Sequence, residues 1–385
     1  MEKGSVIFKH KPEDFIVEEI HESGICKVSD NLDAFNKPID LDNLDVNSKR
    51  PFLSCDLEKI DVDHISALSI ISRQTERGLH QIGYAGAKDK KAWTCQRITI
   101  FDPVMDKVKS FSHPNILLKN FKWEKHKLKI GGLEGNKFRI VLRDADKDAL
   151  KVLNRIRNTK EIPNFFGMQR FGSLRGDNVK IGKLILKKRY KEAVFAFLAG
   201  YGKDERGDVK KAKKRFKEEK DLRKAGEYFP DSLVVEHKIL AYLSNDSDFP
   251  GSLKIMGEKN LLLMCQSVQS QLFNDILRIM NERNIKADKI QLIGCDSKFL
   301  EGQIGRIEQE VMECHALDFS DFNSKIDFLK LRKGERKAFF KVRDLDIKIE
   351  DDEFFSPGKK IILTFALDSG NYATTFLENF FELRP

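Results

Sequence analysis

One carboxylate, Asp89, stands among three lysines (Lys88, Lys90 and Lys91), two glycines and three alanines in "GYAGAKDKKAWTCQ", residues 83–96. A nucleophilic carboxylate must be ionised and partly desolvated, two demands that conflict unless a cation lies close. Lys88 or Lys90 is placed to supply that cation, and the other lysines suit the phosphates around a nucleic-acid base. Taken alone, an Asp in a Gly-rich loop reads as a turn or cap residue. The rest of the chain has to decide between the two readings.

Several other chemistries are excluded by spacing. No GxGxxG follows a strand, and "GGLEGNKF" (131–138) lacks both the spacing of a phosphate-binding loop and its Lys-Ser/Thr pair. HExxH, GxSxG and PCxxC do not occur. The six cysteines (Cys26, Cys55, Cys95, Cys265, Cys295 and Cys314) form no CxxC, so reduced, mostly buried thiols are expected rather than disulfides or zinc. Cys314-His315 alone makes a poor ligand pair. Carboxylate chemistry remains, or binding without chemistry.

The elements that would position Asp89 can be read from periodicity. "VIFKHKPEDFIVEEI" (6–20) predicts two short strands separated by Pro12. Residues 61–78 predict a helix with Asp63 as N-cap, a face of Ile65, Leu68 and Ile71, and a stop at Gly78. "RITIF" (97–101) predicts a strand, so Asp89 falls in a connection, where scaffolds place reactive groups. Residues 126–144 predict a hairpin, with Phe138, Ile140 and Leu142 on one side and Arg139, Val141 and Arg143 on the other. A helix through Leu150, Leu153 and Ile156 follows, and "IPNFFGMQRFG" (162–172) breaks the pattern at a domain boundary. Beyond it helices dominate: two short ones over 179–202, and a long one over 267–284 faced by Leu272, Phe273, Ile276 and Met280. Nine Lys or Arg residues between Lys210 and Lys224 read equally as a solvated helix face or as an RNA-facing patch. The tail returns to a strand and a short helix.

The chain has 385 residues, 41% apolar and 34% charged, which suits a globular protein of two domains. Lys and Arg exceed Asp and Glu by 69 to 60, a net charge of +9 that favours a polyanionic partner. No apolar run suits a membrane span, and the N-terminal stretch has neither signal-peptide nor transit-peptide character. A cytoplasmic protein is expected.

"PEDFIVEEI", "GYAGAKDKKAWTCQ", "GNKF", "PNFFGMQRFG", "SQLFN" and "GNYATTFL" resemble, in order from about residue 12 to residue 377, motifs of the TruD family of tRNA pseudouridine synthases. The resemblance implies that the N-glycosidic bond of a uridine is broken, the uracil turned, and the base rejoined through carbon 5. It implies Asp89 as the covalent catalytic carboxylate, with Lys88 beside it in the motif. Phe138 matches the aromatic packed on the target uracil, and a flipped base regains about 1–3 kcal/mol from such a surface. Asn136 matches the asparagine that reaches the aspartate or the uracil edge, and Arg170 is a candidate phosphate contact. Phe165 stands where tyrosine is common, and Glu18 receives no role. Gly370, Tyr372, Ala373 and Thr374 match a motif that returns to the catalytic domain.

The implied fold is α+β. It is a pseudouridine-synthase catalytic domain with a mixed, largely antiparallel sheet and flanking helices, interrupted by a mainly helical α/β TRUD domain. The expected bounds are 1–163 and 336–385 for the catalytic domain and 164–335 for the insert, with the RNA groove between them. The implied partner is tRNA, modified at U13 in family members, or another RNA. No metal or organic cofactor, membrane or obligate protein partner is implied, and a monomer is expected. A catalytically inactive RNA-binding or RNA-chaperone protein on the same fold is the alternative. A methyltransferase is disfavoured by the missing Gly-rich cofactor loop.

Overall fold

A computed structural model of the chain describes residues 3–384, except 43, 46–49, 173–174, 203–204, 246 and 325. The chain forms two compact units, one from residues up to Ile162 together with those from Lys341 onward, the other from Pro163–Phe340.

The first unit is built on an 11-stranded mixed sheet. Its main path runs Arg343–Asp351, Lys359–Asp368, Gly135–Ala145, Phe15–His21, Trp93–Phe101, Phe52–Ile60 and Ile116–Glu124. Most neighbours are antiparallel, but Phe15–His21 runs parallel to Trp93–Phe101, and Gly4–Phe8 runs parallel to the last strand, Phe381–Arg384. The short strands at 4–8 and 15–21 flank a 3-10 turn at Pro12–Asp14, as the proline predicts. The tail forms the strand Lys359–Asp368 and the helix Ala373–Glu378, and then adds the last strand, which periodicity did not reveal.

Two sequence expectations are corrected here. Residues 126–144 do not form a hairpin: Ile116–Glu124 sits at the far edge against Phe52–Ile60, while Gly135–Ala145 lies centrally between Phe15–His21 and Lys359–Asp368. A central strand is covered on both faces, so Val141 is 5% exposed and Arg143 only 2%. The Arg143 guanidinium survives burial by a two-bond grip on Asp14 (2.8 Å each) and a bond of 3.1 Å to Asp352. The first helix spans His64–Gln74, with Asp63 capping Ser66 N–H at 3.1 Å. Its buried face is Ala67, Leu68 and Ile71, whereas Ile65 is 51% exposed. The helix ends at Thr75, before Gly78, because Glu76 turns left-handed (φ 54°) and Arg77 N–H donates back to Ser72 O at 3.0 Å.

The second unit is mainly helical, with a two-stranded ribbon of Lys289–Leu292 and Gly334–Lys337. Its longest helix, Glu258–Glu282, buries Leu272, Phe273, Ile276 and Met280 as their spacing predicts, and begins earlier than the polar start at Ser267 suggested. The two short helices are Asn178–Leu186 and Tyr190–Ala199. The basic run folds as Gly207–Glu219 and Leu222–Tyr228. Lys213 belongs neither to a solvated face nor to an RNA-facing one: its side chain is 2% exposed and its Nζ meets Glu236 at 2.9 Å. Position on the helix decides this, since Val209, Ala212 and Phe216 share its buried face. Among the described residues no helix is long and apolar enough to cross a membrane.

Candidate active site

Strand register gathers distant residues onto one face of the sheet. Phe365 pairs with Phe138, Phe138 with Val17, Val17 with Thr94, and Thr94 with Lys59, which makes one row across five strands. The adjacent row on that face brings Asn136 opposite Glu19, with Gln96 opposite Leu57 further along. Because side chains alternate with period two, residues paired in this way point to the same side.

The loop 85–92 lies over these rows and is tied down along its length. Gly131 N–H donates to Ala85 O at 2.7 Å, and Gln96 Nε2 to Gly86 O at 2.9 Å. Lys88 Nζ bonds Glu19, and Lys59 Nζ donates to the main-chain oxygen of Asp89 at 2.6 Å. Asp61 N–H closes the loop on Ala92 O at 3.2 Å. Gly83 lets the 125–134 connection dock close behind it, for a Cβ there would stand 2.6 Å from Leu128 O. With its backbone fixed, Asp89 projects a carboxylate that is 54% exposed and meets Lys9 Nζ at 2.5 Å. Lys9 also sits over the Phe15 ring, 4.0 Å from its centroid.

Beneath the loop the site is charged and buried. Burial pushes the Glu19 carboxyl up, but hydrogen bonds from His21 (3.0 Å) and Lys88 outweigh it and hold Glu19 below its ordinary value of 4.5. A lowered carboxyl stabilises the fold above pH 4.5 and loses that contribution as pH falls through the folded value. The stability gap between wild type and Glu19→Gln is therefore expected to shrink as pH drops below about 5, read as urea midpoints. A gap constant down to pH 3 would remove Glu19 from the acid-labile set. Lys59, fully buried, donates its second bond to Val62 O at 2.9 Å. Burial pushes its ammonium down to about 8 against the attraction of Asp89 and Asp63, so it is charged at neutral pH.

The residues singled out from sequence fall into three groups. Asn136 and Phe138 share one sheet face, and Asp89 sits in the loop that Lys59 and Glu19 hold to it. Phe138 is 6% exposed, with its ring stacked on Phe365 (centroids 5.3 Å, 26°) and tilted against Phe15 at 6.2 Å. Asn136 lies in a strand rather than a turn, and its Oδ1 is buried without a hydrogen-bond partner. Lys88 is corrected as the cation beside Asp89: its side chain is 7% exposed and committed to Glu19, while Lys9 holds the carboxylate. Arg170 lies in the other unit, where it bonds Ser270 Oγ (3.1 Å) and Gln266 Oε1 (3.0 Å) on the long helix. Sequence reasoning missed Lys9, Glu19 and Lys59. Glu19 had a signal, since it alternates with Phe15 and Val17 on an apolar face. Lys9 had none. All six cysteines are free, and four of them are buried. Among the described residues no cluster of three His, Cys, Asp or Glu side chains could hold a metal ion.

The site can be compared with known proteins. The family model for tRNA pseudouridine synthase D (TruD) matches residues 3–291 and 287–380. A Methanocaldococcus jannaschii protein named probable tRNA pseudouridine synthase D 1 is 29% identical over 392 aligned positions, covering 98% of this chain and 95% of that one. A Methanococcus vannielii protein named probable tRNA pseudouridine synthase D is also 29% identical, covering 97% and 94%. A crystal structure from Methanosarcina mazei assigned to tRNA pseudouridine synthase D (TruD) superposes with a TM-score of 0.83 at 23% identity, covering all of this chain and 95% of that one. The α+β fold is thus shared along the whole length. Family motifs and fold agree, and the chain belongs to the TruD family of tRNA pseudouridine synthases.

Proposed function

We propose that the chain isomerises a uridine of tRNA, U13 by family resemblance, to pseudouridine, with Asp89 as the covalent carboxylate on a flipped-out nucleotide. The observation that carries this reading is Asp89 itself. Its carboxylate is half-exposed with one ammonium on it, and Lys59 and the Lys88–Glu19 pair hold its loop to the sheet face that carries Asn136 and Phe138. Lys9 sets an ammonium on the carboxylate, and the aromatic ring under Lys9 holds that cation in place. Substrate and product are isomers. The carbon 5 proton leaves as the ring nitrogen released from the sugar gains one, so side chain and substrate complete the reaction without a cofactor.

The other residues enter by what they touch. By family resemblance Asn136, whose Oδ1 has no hydrogen-bond partner, stands at the uracil edge and Phe138 packs on the uracil. Lys88 positions the loop through Glu19, and the exposed Lys90 and Lys91 meet phosphates. Arg170 fixes the corner at the start of the second unit. In this reading the first unit is catalytic, its return segment from residue 341 included, the second is the inserted TRUD domain, and the enzyme is a cytoplasmic monomer.

Incubation of the protein with unmodified tRNA transcripts, followed by carbodiimide mapping, tests the proposal. Pseudouridine at position 13 is expected. Product at another uridine would overturn the site assignment, and no product in any tRNA, with RNA still bound, would make the chain an RNA-binding protein on this fold.

A further inference from the structure

The second unit contains a cavity of about 1050 Å³ that the catalytic reading does not use. It opens between the helices Asn178–Leu186, Tyr190–Ala199 and Gly207–Glu219. Four lysines line it: Lys180, Lys191, Lys217 and Lys220. Its two carboxylates are already taken, Asp177 by Arg175 at 2.9 Å and Glu192 by Arg189. Among the described residues none of the four lysines has a carboxylate within ion-pair distance. Two half-buried rings, Phe195 and Tyr201, complete the wall.

The helix Gly207–Glu219 sorts its charges in a way that a merely solvated surface would not require. Lys213 turns inward to Glu236, and Arg215 pairs with Glu219 along the outer face. Lys217, and Lys220 just past the helix end, are left unneutralised at the cavity. Like charges gathered around a concavity repel one another and concentrate positive potential there, an arrangement that an anionic occupant relieves. Lysines interleaved with half-exposed aromatic faces suit one anion class best, unpaired nucleotides, whose phosphates meet the ammonium groups while a base stacks on a ring.

We propose that this cavity binds an unpaired segment of the RNA substrate, with Lys217 and Lys220 on phosphates and Tyr201 under a base. The proposal rests on the reading of tRNA as substrate and adds to it a recognition site within the second unit.

Affinity of the full chain for an unmodified tRNA transcript, measured across 50–300 mM KCl, provides the test. Lys217→Glu/Lys220→Glu should weaken binding roughly tenfold and flatten the slope of log K against log salt by about 1.4, near 0.7 for each single-strand phosphate lost. Its turnover at saturating tRNA should match wild type, because neither lysine belongs to the catalytic unit. Tyr201→Leu should weaken binding with the slope unchanged. If the double reversal fails to fold, Lys217→Gln and Lys220→Gln, which add no new charge, should each flatten the slope by about 0.7. Unaltered affinity and slope in folded variants overturn the proposal. So does a loss of binding to polyglutamate while RNA affinity stays intact, which would assign the cavity to an acidic protein. Wild type that binds tRNA through these lysines but makes no pseudouridine would overturn the catalytic reading alone.

Discussion

Asp89→Asn should abolish pseudouridine formation, by about 10⁴-fold or more, while leaving tRNA affinity within a few-fold of wild type. The amide keeps the shape of the carboxylate but cannot form the covalent bond to the nucleotide. The loop itself is held through its main-chain oxygens, which accept from Gln96 Nε2, Lys59 Nζ and Gly131 N–H, and the substitution touches none of these bonds. The ion pair that is lost, Lys9–Asp89, is half open to water on the Asp89 side, so stability should change by less than about 1 kcal/mol. Single-turnover assays, filter binding and urea unfolding measure the three quantities separately. Turnover within tenfold of wild type would remove Asp89 as the nucleophile. A parallel loss of binding would make it a structural residue.

Lys88→Met should show the opposite balance, with a large loss of stability. Glu19 is fully buried, and removing one partner from a buried pair strands the other charge, at about 3–5 kcal/mol. His21 and the Arg97 N–H still reach Glu19 and offset part of that penalty. The anchor one residue before Asp89 also disappears, so turnover should fall even under conditions where the variant is folded. Adding Glu19→Leu should restore much of the stability, since an apolar residue in place of the stranded carboxylate needs no counter-charge, but it should not restore turnover. Urea midpoints for the two single variants and the double variant close the cycle. A single-variant loss below about 1 kcal/mol would mean that the pair contributes little and that the loop is held elsewhere.

The parts of the fold that depend on local pattern were legible. Alternation in "FIVEE", the N-cap at Asp63 and the apolar face through Leu272, Phe273, Ile276 and Met280 each depend on neighbours within a few residues. Errors came where a local pattern has more than one tertiary solution. A pair of alternating runs joined by "GGLEGN" reads as a hairpin, yet 135–145 leaves its sequence neighbour and becomes a central strand. A lysine in a basic helix reads as solvated, yet Lys213 falls on the buried face and finds Glu236.

For the candidate site, the order of the motifs named the family and pointed to Asp89, Asn136 and Phe138, because a motif is a local string and survives without its surroundings. Which cation serves Asp89 was beyond any local reading. Lys9 and Asp89 are 80 residues apart, and Lys88 and Glu19 are 69 apart. The sequence by itself determined the family, its motif residues Asp89, Asn136 and Phe138, and the strands and helices that follow from local alternation and capping. The tertiary structure decided which charge meets which, because strands 15–21 and 93–101 pair in parallel and bring segments far apart in the chain onto one face. Coulomb interactions weaken with distance and with solvent screening, so a charge partner follows from position in space rather than from place along the chain.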